Sequence, residues 1–200
     1  MQDHATEQEL RDRLSLIESM IAEGRRTSES WGWAFVLWGL AYYAAIAWSL
    51  WRPSAWAWPV CVTAACLLMW AKSVWNPRLR TSASQPETTI GRAILAIWIT
   101  MGISMFVLLF SLGLSGRTDW HVFVAVACTL LGTANAASSL ILRWRVQFGC
   151  ALAWWAAAVA ACFGSDTLSM TAFLIAIFLC QIVFGVYGMI LEARERKLHA

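Results

Sequence analysis

Residues 31–51 read WGWAFVLWGLAYYAAIAWSLW, twenty-one positions without one Asp, Glu, Lys, Arg or His. At about 1.5 Å of rise per residue, this run is about 30 Å long as an α-helix, the hydrocarbon thickness of a bilayer. A surface helix of a soluble domain carries a charged face along such a length, and this run has none. Working outward, five more apolar runs follow, at about 55–75, 93–114, 120–142, 147–164 and 168–191. The breaks at 52–54, 76–92, 115–119, 143–147 and 165–167 are polar or turn-forming. Charged residues make up 14% of the chain, against about 25% in a soluble domain, and they collect in these breaks and at the two ends. The expected fold is all-α. A polytopic bundle of six transmembrane helices in three hairpins fills residues 31–191, an amphipathic cytoplasmic helix and linker occupy 1–30, and a basic cytoplasmic tail occupies 192–200.

The basic residues orient these runs. With the N-terminal side taken as inside, thirteen of the fifteen Lys and Arg fall in inside segments, and only Arg52 and Arg117 fall outside. Positively charged loops stay in the cytoplasm, so both termini are expected there, in a cytoplasmic inner membrane. No apolar signal-peptide core precedes Trp31, so the first span is expected to stay uncleaved. Each hairpin ends in basic residues on the inside, as a triple repeat would, although the inside bias alone produces the same pattern.

Residues 7–26 read as an amphipathic helix. Thr6 and Glu9 have the spacing of a capping box. Leu10, Leu14, Ile17 and Ile21 follow with 4-3-4 spacing and share one stripe, while Glu7–Arg11 and Glu9–Arg13 are favourable pairs on other faces. Gly24 weakens the helix, and residues 27–30 suit a break or cap. The stripe is the candidate surface for self-association or for a protein partner on the cytoplasmic side. Contact with the bilayer surface is the alternative.

Tryptophan is abundant, with 14 residues, most near span ends where an aromatic belt accounts for them. Trp38, Trp98, Trp154 and Trp155 lie deeper, and Asn135 and Gln181 place amides within spans. Trp38, Trp98, Asn135, Trp154 and Gln181 form a candidate ligand-binding layer in the cytoplasmic half, or serve as interhelical hydrogen-bonding glue. Small residues form two seams. Thr129, Gly132, Ala136 and Ser139 share one face of span four with Ala125, and Gly185 and Gly188 share one of span six with Gln181 and Glu192. Such faces let helix backbones approach closely, within one chain or between two.

The absences narrow the chemistry. No ionisable residue lies deep in a span, which disfavours proton-driven transport and voltage sensing. No HExxH, P-loop or GxSxG motif occurs, and the six cysteines show no metal or disulfide spacing. Asp119 and Asp166 read as isolated caps. No catalytic or metal residue is assigned, and the chain is expected to be no enzyme, to hold no cofactor and to bind no nucleic acid.

The stretches SLIESMIAEGRRTSESWGWAFVLWGLAYY (15–43), LILRWRVQFG (140–149) and FGVYGMILEARERK (184–197) resemble a bacterial family of six-span inner-membrane proteins. Its members have an N-terminal amphipathic helix and a Trp-Gly element in the first span, here Trp31-Gly32 or Trp38-Gly39. The resemblance implies architecture and an inner-membrane location, and carries over no catalytic residue. The expected function is an interaction, regulatory or scaffold role. The alternative is a small transporter, channel or sensor for a neutral or lipophilic ligand.

Overall fold

The computed structural model of the chain describes residues 2–52, 54, 56–75, 89–115 and 119–198. Among the described residues every regular element is helical. In chain order these are α1 (Gln2–Ser30), α2 (Gly32–Trp51), α3 (Ala57–Trp75), α4 (Thr89–Ser115), α5 (Trp120–Leu142) and α6 (Arg145–Phe163). The last rod is α7 (Asp166–Ile177), a π-helical turn (Phe178–Val183) and α8 (Phe184–Leu198). Five helices are long and apolar enough to cross a membrane: α2, residues Thr89–Leu108 of α4, α5, α6, and the last rod over Asp166–Arg194. The apolar part of α3, Ala57–Lys72, is shorter. Residues 76–88, with Arg78 and Arg80 of the expected inside loop, and Pro53 and Arg117 of the expected outside turns lie outside the described residues.

Close helix contacts occur where a side chain is missing. A Cβ on Gly32 would lie 2.6 Å from the Gly185 carbonyl oxygen, and a Cβ on Gly185 equally near that of Gly32. Gly188 faces the backbone of Glu29 and Gly32 at 3.4 Å. The glycines of the last rod therefore serve a seam within the chain, against α2. On α5, a Cβ at Gly132 would overlap the indole of Trp155, so this glycine seats α6. Ala136 and Ser139 are buried near it, whereas Thr129 is exposed and its hydroxyl donates to the Ala125 carbonyl at 2.7 Å.

The bundle has two distinct ends. At one end α1 docks by its second half. A Cβ on Gly24 would lie 2.8 Å from Ile90 at the start of α4 and 3.1 Å from Leu142 at the end of α5. Glu29 is buried there and accepts from Arg25 at 3.0 Å, and the Arg25 guanidinium sits 5.3 Å above the Trp144 ring. At the other end His121, at the start of α5, meets the Ala161 carbonyl at 2.8 Å and Asp166 at 2.6 Å. One side chain thus ties together the starts of α5 and α7 and the end of α6.

Two local expectations about the N-terminal helix are corrected. The helix begins at Gln2, so Thr6 lies inside it rather than capping it, and Glu9 accepts from Arg13 at 2.6 Å. The Glu7 side chain of the expected Glu7–Arg11 pair lies outside the described residues. The helix also runs unbroken through Gly24 to Ser30. Contacts with α4, α5 and α8 offset the roughly 1 kcal/mol that a mid-helix glycine costs.

Candidate functional site

Helix α6 buries one face: Gln147, Cys150, Ala151, Trp154, Ala157, Ala158 and Ala161. The spacing is the three-and-four repeat of a helix packed along its length. Two contacts set its neighbours' register. Gly132 meets Trp155 across the α5–α6 hairpin, and the Cys180 thiol donates to the Cys150 carbonyl at 3.4 Å. In the antiparallel hairpin each step forward on α5 matches one step back on α6. Asn135 is therefore level with Leu152, and Ser138 with Gly149. Gln181 follows Cys180 and falls at the level of Ser138. Gln147 and Trp154 lie one turn to either side of Cys150.

Asn135, Trp154 and Gln181 of the expected layer fall at the levels of this band, and Gln181 also faces α2, where a Cβ on Gly39 would lie 2.9 Å from its Cβ. All three are buried. The Asn135 amide nitrogen donates to the Leu131 carbonyl at 2.8 Å, within its own helix. Among the described residues, Asn135 Oδ1, Trp154 Nε1, Gln181 Oε1, the Ser138 hydroxyl and both amide atoms of Gln147 have no hydrogen-bond partner. An unpartnered buried amide or hydroxyl costs about 1–3 kcal/mol, so the band is a concentration of unspent polar capacity. Gln181 stands in the π turn, a form of helix that is frequent at functional sites.

The Trp38 and Trp98 indoles have partners of their own. The Trp38 indole donates to the Met69 sulfur at 3.1 Å and lies 5.9 Å from Tyr42, on the α2–α3 side. Trp98 meets Phe35 edge-on at 5.2 Å. Phe35 in turn meets Phe184, and Phe184 meets Trp144 at 5.1 Å. This aromatic ladder links α4, α2, α8 and the α5–α6 turn.

Ser138 and Gln147 were missed from sequence. Gln147 sits beside two arginines in a short polar break and reads as part of a turn. The signal was its phase, one helical turn before Cys150 and Ala151 and two before Trp154, on the face that α6 buries. Asp166 is also corrected. Ser165 caps α7 and accepts from the Leu168 amide, which leaves Asp166 to pair with His121. Asp119 does cap α5, accepting from the His121 and Val122 amides at 2.8 and 3.3 Å.

Two surface grooves lie away from the band. One of about 480 Å³ runs between α4 and α5, lined by Ile103, Ser104, Val107, Val126 and Leu130 among others. The other, about 390 Å³, opens near the His121 end beside Trp58, Trp120, Asp166 and Met170. No group of three or more His, Cys, Asp or Glu suited to a metal occurs among the described residues.

The second candidate is α1. Residues 8–19 are exposed throughout, and Leu10, Leu14 and Ile17 show 56%, 58% and 52% of their surface. Ile21 is half-buried, where the helix meets the bundle. The base is therefore held while the apolar stripe stays uncovered.

No protein-family model, curated protein or solved structure matches the chain. Its class follows from the fold: an all-helical, multi-pass membrane protein with five helices able to span a bilayer and a long N-terminal helix docked on one end of the bundle.

Proposed function

We propose that this is a non-enzymatic interaction protein of a bacterial inner membrane, which presents α1 as a docking helix on the cytoplasmic side. In this reading α3 is a sixth span and both termini are inside. The observation that carries the proposal is the division of α1. Its second half is fixed by Gly24, Arg25 and Glu29, while Leu10, Leu14 and Ile17 stay exposed. Monomeric surfaces rarely keep a contiguous apolar stripe unless it meets a partner or a membrane. Three features support the topology. The α1 base, the start of α4, the end of α5 and α8 meet at one end of the bundle, where the basic segments cluster. The α3 helix lies against α2 from Trp58, beside Tyr42, to Lys72, whose ammonium sits 3.6 Å over the Trp33 ring. That contact suits a lysine whose stem lies in lipid and whose charge reaches the interface. Replacing Leu14 and Ile17 by Asp tests the docking role. The expected result is a lower oligomer mass in detergent or the loss of a co-purifying protein, and no change in either refutes it.

The unpaired amides and the π turn favour a second reading, a sensor or conductor of a small neutral hydrogen-bonding molecule held between α5, α6 and the last rod. It predicts ligand-dependent quenching of tryptophan fluorescence that disappears in Trp154→Phe and Gln181→Leu. Liposome flux that survives both replacements speaks against it.

A further inference from the structure

The exposed stripe of α1 has the phase of a coiled coil. Written as heptads, Leu10 and Ile17 are d positions, and Leu14 and Ile21 are a positions. Arg13 then occupies g and Glu18 the e position of the next heptad. In a parallel, in-register coiled coil these two positions face each other across the interface. Within one chain the two residues are five apart and do not share a face. Arg13 already contacts Glu9 of its own helix at 2.6 Å, and its guanidinium has donors for a second carboxylate.

We propose that α1 pairs with α1 of other copies of this chain, in parallel and in register, with Leu10, Leu14, Ile17 and Ile21 as the seam and Arg13 bonded to Glu18 of the neighbouring copy. The inference rests on the docking role proposed above and names its partner. Copies inserted in one membrane share one orientation, so their α1 helices emerge in the same direction and a parallel pairing needs no rearrangement. The docked base removes part of the ordering cost, and confinement to a membrane raises the local concentration. Two heptads, too few to hold free peptides together, then suffice. The bilayer is a poorer occupant. Residues 8–22 hold Glu9, Asp12 and Glu18 against Arg11 and Arg13, and membrane-surface helices instead carry a polar face rich in Lys and Arg.

The test is energy transfer between full-length copies in lipid nanodiscs or detergent, labelled at the N-terminus with donor or acceptor. Arg13→Glu alone and Glu18→Arg alone each place like charges at every e–g contact, and each is expected to weaken association about tenfold. A mixture of the two variants restores opposite charges at every contact between unlike copies, so transfer should return to the wild-type level. Singles without effect, or a mixture no better than either single, overturn the pairing. Quenching of a fluorophore at Ser15 by brominated lipid overturns it too, because the stripe then lies in the bilayer. If copies do not pair but Leu14→Asp with Ile17→Asp still releases a cytosolic protein, the pairing is overturned while the docking role stands.

Discussion

Gln147 shows what a single residue contributes to this bundle. It is fully buried, and neither atom of its amide has a partner among the described residues. If the band is simply part of the helix contact, Gln147→Leu removes an unpaired amide at similar volume. It should then leave thermal stability unchanged or raise it by about 1 kcal/mol. A marked fall in melting temperature would mean that the amide is satisfied by a bound molecule, as the second functional reading requires. The glycines separate as sharply. Gly185→Leu drives a side chain into the Gly32 backbone and should cost about 1–3 kcal/mol or more, whereas Gly102→Ala meets nothing within 4 Å and should be neutral or mildly stabilising. Both are read from thermal melts in one detergent. Arg143 ends α5 in the left-handed region, with φ 52°, and Trp144 donates to the Ser139 carbonyl at 2.9 Å. Arg143→Gly should relieve about 1 kcal/mol of backbone strain.

At the scale of the element, α1 behaves as two segments of one helix. Its second half belongs to the bundle and its first half to the solvent. Gly24→Leu would push the helix from Ile90 and Leu142. The expected outcome is faster amide hydrogen exchange across residues 22–30, with the exchange of α5 and α6 unchanged. Equal acceleration throughout the bundle would show that docking and bundle form one cooperative unit. Local propensity had suggested a break here, since glycine is a poor helix former and residues 27–30 are polar. The contact with α4 and α5 reverses that preference, and no feature of residues 20–30 themselves announces it. The π turn of the last rod is similar. Nothing in the order FLCQIV distinguishes it from an ordinary helical turn.

The whole molecule has two unlike ends, and its proposed sidedness can be measured. A membrane-impermeant thiol reagent should label a cysteine placed at Arg52 or Ser165 in intact cells. One placed at Ser15 or Lys197 should react only after the membrane is opened. The reverse pattern would invert the topology. The His121–Asp166 pair belongs to this scale as well, because it fastens three helices at the end away from α1. From sequence, Asp166 and His121 stand 45 residues apart, with no spacing to connect them. Their meeting depends on the two hairpin turns between α5, α6 and α7.

The chain's apolar lengths and its charge distribution by themselves determined that this is an all-helical protein able to cross a membrane several times. Transfer of a helix into lipid depends on the composition of that helix alone, so composition suffices to recognise it. The stripe of α1 was equally legible, since helical periodicity is local. Which faces meet was decided only by the tertiary structure. It set Gly185 against Gly32 and Gly132 against Trp155, and it turned the Trp38 indole to Met69 and Trp98 to Phe35. It also buried Ser138 and Gln147 at the levels of Asn135, Trp154 and Gln181. Helix-to-helix registry arises from close contact between residues distant in the chain, and that information is not carried by any one segment such as 31–51.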